Sequence, residues 1–154
     1  MFLVTHAAIG AAIGQATGNP ILAALGGLAS HFLLDAVPHG DLQLYKSYKS
    51  GQKVRRAIAK VTVDSIVTII FVILLFNFRD FMHPGNVSLG IAFSVLPDAL
   101  IGLYEIHKTR FLTWFNQFHF FFHNYFVKKV GDVSYKYGMV LQIIILIMLQ
   151  TKVF

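Results

Sequence analysis

Histidines and aspartates recur along this chain at spacings that suit metal ligation. The densest run reads Ser30-His31-Phe32-Leu33-Leu34-Asp35-Ala36-Val37-Pro38-His39-Gly40-Asp41. His31 and Asp35 are four residues apart, so on a helix they share one face, a turn from each other. Pro38 ends or bends such a helix, and His39 and Asp41 follow on the emerging chain. Two imidazoles and two carboxylates in one short run form an N/O ligand set suited to zinc, with manganese or iron as alternatives. His6 adds an imidazole, Asp64 and Asp98 stand singly in apolar stretches, and His119 and His123 are again four apart. The chain has no cysteine, which excludes a thiolate metal site, a disulfide framework and a thiol nucleophile.

These polar residues stand out because charge is scarce. The 154 residues are 56% hydrophobic and 13% charged, against roughly 25% charged in a soluble domain. Too little polar surface remains to clothe a water-soluble ball. The expected architecture is all-α: a single polytopic membrane domain over residues 1–154, with about five transmembrane helices and one amphipathic interfacial helix. The expected spans are 2–17, 21–37, 57–76, 87–103 and 138–153. The first two are short, rich in Gly and Ala, and separated by the Gly18-Asn19-Pro20 turn signal. Small residues let such helices pack closely, and a re-entrant pair that never crosses is the alternative. No Lys or Arg precedes the first apolar run, which argues against a cleaved signal peptide. Residues 105–126 are too polar to span, and Phe111, Leu112, Phe115, Phe118, Phe122 and Tyr125 recur there at helical spacing.

The net charge of +6 reads mainly as a topology signal. Lys46, Lys49, Lys53, Arg55 and Arg56 lie between the second and third spans, and Lys108, Arg110, Lys128, Lys129 and Lys136 between the fourth and fifth. Asn77 to Asn86 carries only Arg79, offset by Asp80. Positive residues favour the cytoplasmic side, so both long loops and the N-terminus are expected inside, with the C-terminus outside. Lys152 is then placed to snorkel at the exit end. Nucleic acid is not an expected partner; a membrane lipid is.

Depths counted at ~1.5 Å per residue put His6, His31, Asp35, His39, Asp41, Asp64, Asp98, His119 and His123 in one slab at the cytoplasmic third. Ionisable groups are expensive in a membrane, and their concentration at one depth points to a shared site. His6, His31, Asp35, His39, Asp41, Asp64 and Asp98 are the expected metal residues. His119 and His123, on the interfacial helix, are the candidates to protonate a leaving group. The bland alternatives are a self-satisfied His31–Asp35 ion pair, a packed His6, and interfacial anchoring by His119 and His123.

Thr5-His6-x3-Gly10, Ser30-His31…His39-x-Asp41, Leu96-Pro97-Asp98 and a late histidine pair together resemble the bacterial inner-membrane proteins described as predicted membrane-bound metal-dependent hydrolases (YdjM-like). The chain departs from that pattern after Asp98, where Ala99-Leu100-Ile101 replaces an Asp-His pair, and it lacks the Gly-His-Arg-Gly element. The resemblance implies metal roles for His6 and Asp98. A fainter similarity is to zinc-dependent phospholipases C, whose sites use His-x3-Asp pairs. The expectation is metal-assisted hydrolysis of a phosphoester or ester in a lipid or membrane-associated substrate, with one or two divalent ions. A transporter or ion-handling protein using the same residues is the alternative, and a non-catalytic membrane protein a third. Epitope tags at the two ends test the orientation: the C-terminal tag should be reached by antibody on intact cells and the N-terminal tag should not. An externally exposed N-terminus would break the common-depth argument.

Overall fold

A computed structural model of the chain describes residues 1–152, the side chains of Gln43, Thr151 and Lys152 apart; the expected span end at Val153 and the expected snorkelling of Lys152 lie outside what is described. Among the described residues all regular structure is helical: α1 (Leu3–Ala16), α2 (Pro20–Ala36), α3 (Leu42–Lys49), α4 (Val54–Phe78), α5 (Pro84–Ile106), α6 (Arg110–His123), α7 (Val127–Val130) and α8 (Tyr135–Lys152). Two of these, α4 and α5, are long and apolar enough to cross a membrane. The others are shorter; the 14 residues of α1 span only ~21 Å, against a hydrocarbon core of about 30 Å.

Local chemistry sets the boundaries. The Asn19 side chain accepts hydrogen bonds from the Ile21 and Leu22 amides at 2.8 and 3.2 Å, and Pro20 occupies the first turn, so the turn signal starts α2. The helix ends at Ala36 because Pro38 disfavours helical geometry at the residue before it. Pro97 does not break α5, which continues to Ile106 and keeps Asp98 on a helix face. Two features differ from expectation. The basic loop folds partly into α3, and residues 105–126 are not one helix. Glu105 and Ile106 still belong to α5, and Thr109 opens α6 by accepting from the Leu112 amide at 3.2 Å.

The centre of the bundle is α1, α2 and α5, packed at very short range. Gly10 and Gly14 on α1, Gly27 on α2 and Gly90 on α5 make this possible, since a Cβ at any of them would strike the backbone of a neighbouring helix. The remaining long helices sit around this centre: α4 against α1 and α3, α6 against α5 and α2, α8 against α1.

The distribution of polarity is inverted. The largest fully buried side chains include His6, His31, Gln142, Thr5, Asp35 and Ser94. Meanwhile Ile66, Ile69, Ile70, Ile73 and Leu74 of α4 are exposed. On α6, Leu112, His119 and His123 face inward while Phe111, Trp114 and Phe121 face out. A water-soluble protein arranges these types the other way round.

The glycine contacts generate a first stability test. Gly90→Val should lower the melting temperature of the detergent-solubilised protein, since overpacking costs about 1–3 kcal/mol or more where backbone opposes the new atoms. Gly102→Ala on the same helix meets open space, so it should leave the melting temperature unchanged or raise it. Equal effects of the two substitutions would contradict the packing described.

Candidate metal centre

The expected residues converge at one end of the bundle, where α1 starts and α2 ends. Asp35, 1% exposed, lies at the centre. Its Oδ2 is 3.2 Å from His31 Nε2 and 3.6 Å from His119 Nε2. Asp98 Oδ1, one helix away, is 3.8 Å from His31 Nε2 and 4.0 Å from His119 Nε2. His31, Asp35, Asp98 and His119 therefore form one group of potential metal ligands from α2, α5 and α6. Asp35, His39 and His123 form a second, so the Asp35 carboxylate is common to both.

The first group can hold a cation in place of the proton of a His31–Asp35 ion pair. The Nδ1–H of His31 donates to the Ser94 carbonyl at 2.8 Å, which leaves the Nε2 lone pair aimed at Asp35. His31 Nε2 and Asp35 Oδ2 are buried, close and without the alignment of a hydrogen bond; neither has a hydrogen-bonding partner among the described residues. Two acceptors facing each other in a dry interior need either a proton on His31 Nε2 or a metal cation between them. Four-coordinate zinc, with bonds of about 2.0–2.2 Å, separates its ligands by roughly 3.3–3.5 Å, close to the shorter distances here. The residues present fit such an ion.

The second group is assembled by the chain after α2. His39 Nδ1–H donates to the Val37 carbonyl at 2.7 Å, turning Nε2 inward. Asp41 Oδ2 lies 2.9 Å from His39 Nε2 and 3.3 Å from His123 Nε2, flanking the group. The Met1 ammonium donates to Asp35 Oδ1 at 2.6 Å and lies 2.7 Å from His39 Nε2. A positive charge is thus already accommodated between the two side chains. His6 reaches Asp35 Oδ1 at 3.1 Å through Nε2 and stacks on His31 with ring centroids 4.2 Å apart.

Charge outside the expected spans follows the same logic. Burial works to raise the Asp41 pKa, but hydrogen bonds from His123 and His39 hold it well below the usual carboxylate range. Burial pushes His123 down, and its hydrogen bond to Asp41 together with the charges of Asp41 and Asp35 more than reverses this, leaving its pKa raised. His119 is lowered to about 4 by burial, which keeps it neutral and able to offer a lone pair at neutral pH.

Asp64 is set apart from both groups. Its Oδ2 accepts from the Leu3 amide at 2.8 Å, serving as an acidic cap for α1, whose own preceding residue Phe2 offers no capping side chain. Several positioning residues carried no recognisable sequence signal. Asp132 accepts from the Gly40 amide at 2.9 Å and the Leu42 amide at 3.3 Å, tying down the segment that carries His39 and Asp41. Gly40 has φ of 85°, a conformation that disfavours side chains. Gln142, 1% exposed, accepts from the Phe2 amide at 2.6 Å and so anchors the start of α1 to α8. A polar residue buried in the apolar run of α8 was the available clue to Gln142.

Beside the cluster opens a cavity of about 780 Å³, reached by Asp35, His39, Asp98, His119 and His123 and walled by α4 and α5. Comparison with family models, curated proteins and solved structures found no match to this chain.

Metal content of the purified protein separates these roles. Zinc-reconstituted wild type should retain metal through gel filtration, and Asp35→Asn or His119→Ala should lose at least tenfold in affinity. Asp64→Asn should keep the metal and lose stability, by about 0.5–2 kcal/mol for a weakened helix cap. Retention unaffected by Asp35→Asn would sink the assignment.

Proposed function

We propose that the chain is a membrane-embedded, metal-dependent hydrolase acting on a phosphoester or ester of a lipid or membrane-associated substrate. The observation that carries this reading is the pair of ligand groups sharing buried Asp35 at the wall of a cavity large enough for a substrate. The resemblance to YdjM-like proteins points the same way. Five membrane-crossing segments, with the site and N-terminus on the cytoplasmic side, agree with the basic loops, the inverted polarity and the exposed apolar face of α4.

In this reading His31, Asp35, Asp98 and His119 hold one divalent ion, zinc by ligand type. Asp35, His39 and His123, flanked by Asp41, offer a second position, which an ion would take by displacing the Met1 amine from Asp35 and His39. A bound ion there supplies Lewis acidity, acidifying water and polarising an ester oxygen. The protein's own contribution is orientation and dryness. The Ser94 and Val37 carbonyls fix the ring orientation of His31 and His39, which is the usual task of groups behind a ligating histidine. His6, stacked on His31 and bonded to Asp35, holds the central carboxylate in place. His119 and His123, expected from sequence as proton donors, lie with the ligand groups, so proton transfer to the leaving group falls to solvent at the cavity.

The test is turnover by zinc- or manganese-loaded protein in lipid vesicles, on phosphomonoester, phosphodiester and carboxylic ester lipids. Metal-dependent hydrolysis of one class is expected, lost at least a hundredfold in Asp35→Asn. Metal binding without hydrolysis of any class, together with metal flux across the vesicle membrane, would overturn the enzyme reading in favour of transport.

A further inference from the structure

The cavity beside the metal centre has a composition that the ligand groups do not explain. Its walls are apolar: Ile58, Val61 and Val67 of α4 face Ile101 and Gly102 of α5. α4 itself packs against α1 and α3. At the far end of α4, Leu75 with Phe71 and Val72 joins the core formed by Ala7, Ala11, Val87 and Ile91. At the site end the Asp64–Leu3 hydrogen bond holds α4 to α1. The two attachments leave a cleft between α4 and α5 along the cavity. Gly102 widens it, since a Cβ at that position meets nothing within 4 Å.

Two cations line the same cavity. Arg56 and Lys60 sit four residues apart on the first turns of α4, and among the described residues no carboxylate pairs with either. Lys60 Nζ lies 3.6 Å from the centroid of the Tyr135 ring, which holds it by a cation–π contact and leaves its charge uncompensated. By contrast Lys49 at the same end is bonded to Glu105 at 2.5 Å. One space thus joins Arg56 and Lys60, an apolar cleft, and the carboxylates of the ligand groups together with Asp64 and Glu105, the last two already engaged by the Leu3 amide and by Lys49. With divalent cations on the ligand carboxylates, that is the charge pattern of an amphiphile with an anionic head.

We propose that the cavity is a lateral port for a membrane lipid with a phosphate headgroup. The acyl chain lies in the cleft between α4 and α5, and the phosphate lies between the His/Asp centre and Arg56 with Lys60. This rests on the hydrolase reading for the chemistry but not for the binding. A small soluble phosphate ester would engage the same charges yet leave Val61, Val67 and Ile101 facing water, whereas a lipid chain covers them. Because a chain leaving the bilayer for the cleft exchanges one apolar surrounding for another, selection among lipids falls to the phosphate.

Native mass spectrometry of the zinc-loaded protein released from detergent tests this with three probes: dioleoyl phosphatidic acid, dioleoylglycerol and glycerol 3-phosphate. Phosphatidic acid should be retained, and the chains alone or the headgroup alone should bind at least tenfold more weakly. Arg56→Ala with Lys60→Ala should reduce retention about tenfold. Val61→Trp and Gly102→Trp, at exposed positions on opposite walls, should do the same while zinc stays bound. Undiminished retention of phosphatidic acid in both tryptophan variants overturns the port, as does glycerol 3-phosphate binding as tightly as the lipid. Phosphatidic acid retained in the predicted pattern but never hydrolysed supports the port and removes only the hydrolase reading. Hydrolysis of phosphatidic acid at equal rate in wild type and both tryptophan variants keeps the hydrolase and overturns the port.

Discussion

A carboxylate without water must find positive charge or hydrogen-bond donors, and Asp35 imposes that requirement on the whole bundle. Removing a carboxylate from water costs several kcal/mol even after relaxation. Here the demand is met from every side. His6 and the Met1 ammonium come from the start of α1, His31 from one turn earlier on α2, and His119 from α6. These groups satisfy Oδ1 well and Oδ2 poorly, because His31 has committed its Nδ1 proton to the Ser94 carbonyl. The residual demand at Oδ2 can be met by a proton on His31 Nε2 or by a metal ion held by the group.

That convergence depends on how closely α1, α2 and α5 approach. Imidazoles 4.2 Å apart on different helices require backbones nearly in contact, and Gly10, Gly27 and Gly90 remove the side chains that would prevent it. The same small residues weaken any hydrophobic core in the usual sense. The molecule instead buries a polar network and presents Ile, Leu, Val and Phe outward. In water that arrangement would be unstable. In lipid it is the expected one, since an apolar surround rewards outward apolar faces and penalises every polar group left unpaired inside.

Much of the site was legible because charge is rare in this chain. With few acids available, His31-x3-Asp35, His39-x-Asp41, Asp98 and the His119/His123 pair stood out, and depth counting placed them together. The structure joins them in a continuous network of contacts no longer than 4.0 Å. Asp64 shared the depth but not the site, because a carboxylate near a helix start can satisfy itself on free amides. Asp132 and Gln142 escaped notice because their work is to accept from distant backbone amides, at Gly40 and Phe2, and no local spacing encodes a partner about a hundred residues away. The segment 105–126 carried a continuous apolar stripe, yet its polar Glu105 end belongs to α5. The helix break at His107–Thr109 comes from the Thr109 cap rather than from the periodicity.

The sequence by itself determined the helical character, the two long apolar helices α4 and α5, the basic segments and the identity of nearly all the candidate ligands, since these depend on composition and on spacing within one element. Only the tertiary structure decided that Asp35 is common to two ligand groups, that Asp64 caps α1, and that α4 and α5 part beside the site to leave a cavity with Arg56 and Lys60 at its wall. Those outcomes depend on which helices touch and how closely, and that is fixed by glycine contacts and amide partners between segments far apart in the chain.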